Sequence, residues 1–267
     1  RRLAAAAEAG YSFVEISIDE SDERLARLDC PAAARADLRR SIASTGVPIL
    51  TMCLSGHRKY PLGSRSPQVR ERAETIMRRA IQSSVDVGVR IVQVAGYDVF
   101  YEQSDDGTIA HFVDGLCRAA DWASQAGVML ALENVDSPLT ESLARCMVIV
   151  QRVDSLWFQL YPDMANVAAA GYDPATELAQ SAGHLVAVHV KDSLPRTIRR
   201  VPFGAGIVPF EPVFCTLAAM SFHGPLVVEM WADPQAADPV ATVCDARQFV
   251  ARQIGLAYPA LAPVTTH

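Results

Sequence analysis

The sequence predicts an α/β fold in which eight parallel strands alternate with helices and close into a barrel. Seven apolar, β-rich runs begin 28 to 42 residues apart, which is the length of one strand-plus-helix unit. The chain has 267 residues, close to the roughly 250 that such a barrel uses. Hydrophobic residues make up 50% of it, enough apolar surface for one large core. We therefore expect residues 1–267 to form a single domain.

The predicted strands are short runs rich in β-branched and other apolar residues. In chain order they occupy residues 13–19, 49–54, 91–95, 128–133, 157–161, 185–190 and 226–229. Apolar residues at helical spacing predict helices between them, most clearly over 69–87, 111–125 and 210–220. Five strands are preceded by a glycine, as expected where a helix ends, at positions 46, 88, 127, 183 and 224.

An alanine-rich helical stretch, residues 1–10, precedes the first of the seven strands. A barrel that alternates strand and helix eight times needs one more strand before that helix. We therefore expect either that the sequence lacks the first barrel strand or that the barrel has an open seam between its first and last strands. The proline-containing tail beyond about residue 258 is expected to fray.

The overall charge and the cysteines limit the possible partners. Lys and Arg number 24 against 30 Asp and Glu, a net charge of -6, which argues against a protein that grips nucleic acid. No apolar run approaches the roughly 18 residues of a membrane span. The 6 cysteines form no C-x-x-C pair and are typical of small buried residues in a reducing compartment. We expect a cytoplasmic protein that binds neither nucleic acid nor membrane.

Four predicted strands lead directly into a residue that can bind a metal ion: Glu133, Asp163, His189 and Glu229. Each alone has an ordinary explanation, because strand-end carboxylates are often salt-bridged and a lone histidine is often hydrogen-bonded in the core. Together they lie at the carboxyl ends of successive strands, the face where catalytic groups of such a barrel gather. Carboxylate and imidazole ligands suit one divalent ion, Mn²⁺, Co²⁺, Mg²⁺ or Zn²⁺.

The two glutamates also predict a type of chemistry. If the missing strand is counted first, Glu133 ends strand five and Glu229 ends strand eight, so they approach a central ligand from separate directions. A metal that chelates a carbonyl oxygen and the neighbouring hydroxyl stabilises an enediolate and so acidifies the carbon. One glutamate can then remove the proton and the other return it on the opposite face, which inverts that carbon.

Six segments cover the motifs of one known family: residues 52–64 (MCLSGHRKYPLGS), 93–99 (QVAGYDV), 161–166 (YPDMAN), 189–192 (HVKD), 201–206 (VPFGAG) and 228–231 (VEMW). In these segments, and over almost its whole length, the chain resembles the bacterial L-ribulose-5-phosphate 3-epimerases, also called L-xylulose-5-phosphate 3-epimerases. The resemblance implies a TIM barrel of the xylose-isomerase-like type and a homodimer. It also implies one divalent metal on the four strand-end residues, with Glu133 and Glu229 as the acid/base pair.

A phosphorylated sugar needs an anion site, which such barrels often place in the loops after strands seven and eight. Basic residues and two glycines in the first of these loops predict phosphate capture by cations and backbone amides. The residues are Lys191, Arg196, Arg199, Arg200, Gly204 and Gly206. The alternative is a solvated basic turn that uses glycines for tight geometry.

Three further residues are predicted to contact the sugar, and each has a structural alternative. His57 belongs to a basic cluster after strand 49–54 and could instead lie in an ordinary surface loop. Trp231 could stack on a sugar face or pack at the rim. Glu15 could hydrogen-bond sugar hydroxyls or form an interior salt bridge.

The sequence therefore predicts a 3-epimerase that interconverts L-ribulose 5-phosphate and L-xylulose 5-phosphate. The main alternative is a ketose 3-epimerase or isomerase that acts on free sugars and would not need the basic loop. A sugar-binding barrel without activity ranks lower. So does a metal-dependent DNA repair endonuclease, because such an enzyme uses more histidines than the 6 in this chain and carries a basic groove.

Overall fold

The computed structural model describes residues 2–231 and 238–258. Seven parallel strands lie where the sequence predicts them, and a short hairpin is added after the sixth. In chain order the strands are β1 (Val14–Ser17), β2 (Ile49–Leu54), β3 (Ile91–Ala95), β4 (Met129–Glu133), β5 (Phe158–Leu160), β6 (Val188–Val190), the hairpin pair β7 (Asp192–Leu194) and β8 (Thr197–Val201), and β9 (Leu226–Val228).

Helices separate the parallel strands, as the repeated pattern predicts. They are α1 (Arg2–Glu8), α2 (Asp22–Leu25), α3 (Ala32–Thr45), α4 (Pro67–Val87), α5 (Asp106–Ala126), α6 (Leu143–Val153), α7 (Met164–Ala169), α8 (Pro174–Gln180), α9 (Phe210–Ala219) and α10 (Pro239–Ala257). The helix predicted at 111 begins earlier because Asp105 and Thr108 form a reciprocal capping box. Its first turn is polar, so apolar periodicity alone does not reveal it.

The parallel strands follow one another around the barrel in sequence order. β1 to β5 form one sheet, and β6 pairs with β9. Two isolated parallel bridges, Leu160 with Leu185 and Asp163 with His189, connect the end of β5 to β6. Since all of these pairings are parallel, the carboxyl ends of the seven strands face the same rim.

The barrel is open between β1 and β9, which do not pair with each other within the described residues. A cleft of about 670 Å³ lies along this edge, lined by residues of both strands and of α10. All four residues of β1 are only partly buried, in contrast to β3, which is buried throughout. The open seam, one of the two alternatives expected from the sequence, is therefore present among the described residues.

The β7–β8 hairpin corrects the sequence interpretation, which placed this segment in a loop or basic turn. The two strands pair antiparallel, with Asp192 opposite Val201 and Leu194 opposite Thr197. The turn between them contains Arg196 in a left-handed conformation, with φ of 59°. Only the first two residues of the hairpin are buried, so the segment lacks the apolar run that marks the barrel strands.

The barrel interior contains an apolar layer that positions the residues above it. This layer comprises Ile91, Ala131, Tyr161, Ala187 and Val227. Larger apolar clusters lie between the strands and the surrounding helices. None of the described helices has both the length and the apolar character required to cross a lipid bilayer. The tail predicted to fray lies outside the described residues.

Candidate metal centre

Each of the four predicted metal ligands lies two residues beyond a member of the apolar interior layer. Alternate residues of a strand share a face, so the step from Ala131 to Glu133 or from Val227 to Glu229 keeps the side chain inside the barrel. Glu133 ends β4, and Glu229 follows β9. One ligand atom from each of the four residues lies within 4.8 Å of the others. The four side chains predicted from separate strands thus converge at the rim.

Asp163 is held in place by its neighbours on both sides. Its Oδ1 caps α7 by accepting hydrogen bonds from the amides of Ala165 at 2.9 Å and Asn166 at 3.0 Å. The side chain of Asn134 accepts from its backbone N–H at 2.7 Å and donates to its carbonyl at 3.1 Å. These contacts occupy Oδ1 and direct Oδ2 towards the other members of the quartet.

His189 lies between two carboxylates in the barrel interior. Its Nδ1 is 2.7 Å from Oε1 of Glu133, and its Nε2 is 3.0 Å from Oε1 of Glu15. Burial alone would lower the pKa of His189, but the two carboxylates outweigh burial and hold this pKa well above its usual value. The ring also packs on Tyr161, with centroids 4.5 Å apart.

The two glutamates of the quartet have different surroundings. Burial raises the pKa of Glu133, against the opposing influence of His189. Burial would raise the pKa of Glu229, but the positive charges of Lys191 and His189 together outweigh burial and lower this pKa. Gln93 donates a hydrogen bond to Oε2 of Glu133. The carboxylates therefore differ in proton affinity although they share one cluster.

Lys191 brings a second positive charge into the cluster. Its Nζ lies 2.5 Å from Oδ2 of Asp163 and 2.7 Å from Oε2 of Glu229. These carboxylates raise the pKa of Lys191 although burial opposes the shift. Within residues 2–231 and 238–258, the four buried or partly buried carboxylates, which include Glu15, thus have only His189 and Lys191 as cationic side chains within 4.0 Å.

The cluster fits a divalent metal ion. The converging atoms are carboxylate oxygens and an imidazole nitrogen, which are the ligands of Mg²⁺, Mn²⁺, Co²⁺ and Zn²⁺. Asp163 has one oxygen left after capping α7, and the excess of carboxylates over cations favours a bound cation. A cavity of about 210 Å³ adjoins the cluster and is lined by Glu133 and Glu229. The site can therefore hold a metal and a small polar molecule beside it.

The structure gives several predicted substrate contacts a different role. Gly204 and Gly206 donate their backbone amides to Oδ2 of Asp192, both at 2.9 Å. These amides bind a carboxylate of the chain itself, so the phosphate site predicted on them is not formed. Glu15 accepts hydrogen bonds from Thr51 and Tyr161 in addition to its contact with His189. These contacts correspond to the structural alternative for Glu15, an interior salt bridge.

His57 is also not at the rim cavity. It is buried, and its Nε2 lies 3.2 Å from the carbonyl of Ala73 in α4, on the outer side of the barrel. The next residue, Arg58, lines the cavity instead. Among the other predicted contacts, Lys191, Arg199 and Trp231 do line it.

Three supporting residues were missed by the analysis of the sequence or only partly recognised. Gln93 is a polar residue in the middle of the apolar strand β3, which was an available signal. Asn134 directly follows Glu133 and orients Asp163. Asn166, which belongs to the YPDMAN motif and could be expected to support the metal ligands, donates to the carbonyl of Asn134 at 2.8 Å.

Comparisons with known proteins agree with this architecture. A family model described as the xylose isomerase-like TIM barrel matches residues 3–252. The L-ribulose-5-phosphate 3-epimerase UlaE of Salmonella heidelberg (strain SL476) is 47% identical over 250 residues, which is 94% of this chain and 88% of that protein. The protein of the same name from Shigella boydii serotype 18 is 46% identical over 249 residues, which is 93% of this chain and 87% of that protein.

Solved structures of more distant sequence share the fold. An L-ribulose 3-epimerase superimposes with a TM-score of 0.82 at 21% identity, covering 100% of this chain and 92% of the other. A D-psicose 3-epimerase, solved in the presence of D-fructose, superimposes with a TM-score of 0.80 at 18% identity. The match covers 96% of this chain and 92% of the other. The chain therefore belongs to the xylose isomerase-like TIM barrel family.

Proposed function

We propose that this protein is a metal-dependent 3-epimerase that interconverts L-ribulose 5-phosphate and L-xylulose 5-phosphate. The observation that carries the proposal is the convergence of Glu133 and Glu229, from well-separated strands, on one potential metal site. The substrate follows the name of relatives that are 47% identical over 94% of the chain. The 210 Å³ cavity suits a ligand smaller than a drug-sized molecule.

Glu133, Asp163, His189 and Glu229 would hold the divalent ion, with Mn²⁺, Co²⁺, Mg²⁺ and Zn²⁺ as the candidates. The bound ion would supply Lewis-acid stabilisation of the negative charge that develops on the substrate oxygens. Gln93 fixes the second oxygen of Glu133. Lys191 donates a hydrogen bond to Oε2 of Glu229 and fixes that oxygen in the same way. Both glutamates are therefore oriented by a neighbouring donor.

The proposed reaction consists of two proton transfers at C3 of the sugar. One glutamate accepts the C3 proton, and the C–H electron pair moves into the C2–C3 bond of an enediolate. The other glutamate, in its protonated form, donates a proton to C3 from the opposite face, and the C2 carbonyl forms again. Two opposed groups are needed because a single base would return the proton to the face it came from.

The reaction can be tested by incubating Mn²⁺-loaded protein with L-ribulose 5-phosphate in D₂O. We expect L-xylulose 5-phosphate with deuterium at C3. Glu133→Gln and Glu229→Gln should each form no epimer, and each should exchange the C3 hydrogen of only one of the two sugars. Absence of both product and exchange in the folded, metal-replete wild type would reject the proposal.

Glu177→Gln is a matched control for these two variants. Glu177 is as buried as Glu133, both being 8% exposed, but it lies in α8 and accepts the amide of Ala144 at 3.0 Å. A glutamine oxygen can accept the same hydrogen bond. Metal content should be measured for every variant, because Glu133 and Glu229 are also proposed ligands.

A second candidate is a 3-epimerase of free ketoses. It is supported by the solved structures that share the fold, whose names include L-ribulose 3-epimerase and D-psicose 3-epimerase. The two functions share the metal and both glutamates and differ in their need for a phosphate contact. Comparing kcat/KM for L-ribulose 5-phosphate and L-ribulose distinguishes them, and we expect the phosphorylated sugar to be preferred.

We further infer that the protein acts in the cytoplasm as a homodimer on a small-molecule substrate. The inference on the dimer is supported by the resemblance to the epimerase family, and the inference on the compartment by the dispersed cysteines, which are all free in the structure. Light scattering on the purified protein tests the oligomeric state directly. A monomeric mass would reject the dimer.

A further inference from the structure

The carboxylate of Glu15, in β1, binds side chains from three other parts of the barrel wall. Its Oε2 accepts hydrogen bonds from the hydroxyls of Thr51 at 2.8 Å and Tyr161 at 2.9 Å. Its Oε1 lies 3.0 Å from Nε2 of His189. Thr51 belongs to β2 and His189 to β6, and Tyr161 directly follows β5. A single side chain of β1 is thus held by contacts at three places around the barrel.

Glu15 lies outside both the metal quartet and the rim cavity. Within the described part of the chain, the residues that can share one ion are Glu133, Asp163, His189 and Glu229. Glu15 is not among the described residues that line the 210 Å³ cavity. It borders the seam cleft instead, and 13% of its side chain is exposed. Of its three partners only His189 belongs to the quartet, so Glu15 is in a position to act on the metal through His189.

The two ring nitrogens of His189 face different carboxylates. Nε2 faces Glu15, whereas Nδ1 lies 2.7 Å from Oε1 of Glu133, on the side of the quartet. A neutral imidazole has one N–H and one lone pair, and only the lone pair can bind a metal. An ionised carboxylate accepts hydrogen bonds and donates none, so its contact with Glu15 requires a proton on Nε2. That tautomer leaves the lone pair of Nδ1 directed at the other ligands.

We propose that Glu15 is a positioning residue that fixes the Nε2–H tautomer of His189 and so presents Nδ1 to the divalent ion, an inference that rests on the proposed function. A carboxylate that accepts the second N–H of a metal-bound histidine fixes the orientation of the ring and makes the ligand nitrogen more basic. Thr51 and Tyr161 hold Glu15 in turn, and the ring of Tyr161 packs on the imidazole. The salt bridge in the barrel interior therefore serves metal binding.

Substitution of Glu15 measures this contribution through the affinity for Mn²⁺. Methionine has a similar length but no strong acceptor. In Glu15→Met the dissociation constant for Mn²⁺ should therefore rise about tenfold to a hundredfold, the usual effect of losing such a carboxylate. Glutamine keeps an oxygen that can accept the Nε2–H, so Glu15→Gln should stay within about fivefold of the wild type. Calorimetric titration of the full, metal-free protein with Mn²⁺ gives both constants, and unchanged affinity in Glu15→Met would overturn the inference.

Two control variants separate positioning from a general loss of stability. Glu177→Met also removes a buried carboxylate, one that accepts the amide of Ala144 at 3.0 Å. It should lower the free energy of unfolding and leave the Mn²⁺ affinity unchanged. Tyr161→Phe keeps the ring that packs on His189 but removes one of the two hydroxyls that hold Glu15, so its Mn²⁺ affinity should fall less than that of Glu15→Met. Equal losses in Glu15→Met and Glu177→Met would show that metal binding follows overall stability and would overturn the positioning role.

The tautomer can be read in the wild type itself, so this test does not depend on whether a variant folds. Zn²⁺ is diamagnetic, and long-range ¹H–¹⁵N correlation spectra of the Zn²⁺-loaded, ¹⁵N-histidine-labelled protein distinguish the two ring nitrogens. The chain has 6 histidines, and the signals of His189 are those that disappear in His189→Gln. We expect His189 to be protonated on Nε2 and to bind Zn²⁺ through Nδ1. Binding through Nε2, or an unprotonated Nε2, would overturn the inference.

These measurements use no sugar, so they separate this inference from the proposed reaction. If the tautomer and the Mn²⁺ affinities are as expected but no L-xylulose 5-phosphate forms, the reaction is rejected and the role of Glu15 stands. If the protein is an active epimerase and Glu15→Met binds Mn²⁺ as tightly as the wild type, only the role of Glu15 is rejected. A wild type that binds neither Mn²⁺ nor Zn²⁺ would reject both.

Discussion

Lys191 donates a hydrogen bond of 2.7 Å to Oε2 of Glu229 from an ammonium group that is almost completely buried. The same nitrogen lies 2.5 Å from Oδ2 of Asp163. Both oxygens belong to residues that would bind a metal, so the ammonium and the ion share partners. Lys191 therefore stabilises the carboxylates without metal and competes with the ion for them.

Replacing Lys191 by Met separates these two effects. The metal-free variant should be less stable than the wild type by about 3 kcal/mol, because buried carboxylates lose their counter-charge. Its affinity for Mn²⁺ should increase by about tenfold or more, because the competing charge is gone. Urea unfolding with EDTA measures the first effect, and calorimetric titration with Mn²⁺ measures the second.

Lys191→Arg, which keeps the charge, is the matched control and should retain most of the metal-free stability. Lys59→Met tests whether any lysine near the rim has this effect, because Lys59 is exposed and pairs with Asp22 at 3.1 Å. It should leave Mn²⁺ affinity unchanged. Weaker Mn²⁺ binding by Lys191→Met would contradict the competition and indicate that the lysine supports the metal.

The two oxygens of Asp163 have separate tasks, and two substitutions distinguish them. Asparagine can cap α7 as aspartate does but removes the anionic ligand. Asp163→Asn should therefore lose most of the thermal stabilisation that saturating Mn²⁺ gives the wild type. Asp163→Ala should lose the same metal effect and a further contribution of about 1 kcal/mol from the helix cap. Thermal unfolding with EDTA or Mn²⁺ measures both, and full Mn²⁺ stabilisation of Asp163→Asn would exclude Asp163 as a ligand.

The barrel and the metal quartet could be predicted because both follow from short-range regularities in the sequence. Each quartet residue lies in an apolar strand or just beyond it, and successive side chains of a strand point to opposite faces, so its face is fixed once the strand is recognised. Thus Ala131 in the apolar layer implies an inward Glu133, and Ala187 implies an inward His189. Parallel order then brings the four strand ends to one rim.

The sugar contacts were harder to predict because they depend on turns and on the hairpin. His57 and Arg58 are adjacent, and only the 3-10 turn Ser55–Arg58 after β2 decides that His57 faces α4 while Arg58 faces the cavity. Gly204 and Gly206 were recognised as amide donors, but their acceptor, Asp192, is more than ten residues away. Sequence spacing alone could not show that a side chain of the protein already fills this anion-binding position.

The carboxylate of Asp192 should determine the order of the hairpin and the loop after it. Besides Gly204 and Gly206, it accepts hydrogen bonds from the amides of Ser193 at 2.9 Å and Val208 at 3.3 Å. Asp192→Ala should lower the free energy of unfolding by about 2–4 kcal/mol, because several partly buried amides lose their acceptor. It should also raise KM for L-ribulose 5-phosphate, because the hairpin carries Arg199, which lines the cavity beside Glu133 and Glu229.

Hydrogen–deuterium exchange read by mass spectrometry checks this prediction locally. Exchange over residues 192–208 should be faster in Asp192→Ala than in the wild type, with little change in β4. Asp173→Ala is a suitable control, because Asp173 caps α8 with two amide contacts at 3.3 Å and should affect only that helix. Unchanged exchange over 192–208 would show that the hairpin is ordered by other contacts.

His57 should make the protein less stable in mild acid. Burial lowers the pKa of His57 from 6.5 to about 4 in the folded protein, against a smaller opposing effect of the Ala73 carbonyl. Between these two values the unfolded chain binds a proton that the folded protein does not. The free energy of unfolding therefore falls as pH decreases from about 6.5 to about 4, by about 2 kcal/mol at pH 5.

His57→Gln removes this titration and keeps an N–H that can donate to the Ala73 carbonyl. Other groups also titrate in this range, so the measured quantity is the difference in unfolding free energy between wild type and variant at pH 7, 6 and 5. We expect this difference to shift in favour of His57→Gln by about 2 kcal/mol from pH 7 to pH 5. The exposed His223→Gln serves as the control and should run parallel to the wild type. If His57→Gln also runs parallel, the imidazole takes up its proton as readily in the folded protein as in the unfolded chain, and the N–H that it gains would need an acceptor in addition to the Ala73 carbonyl.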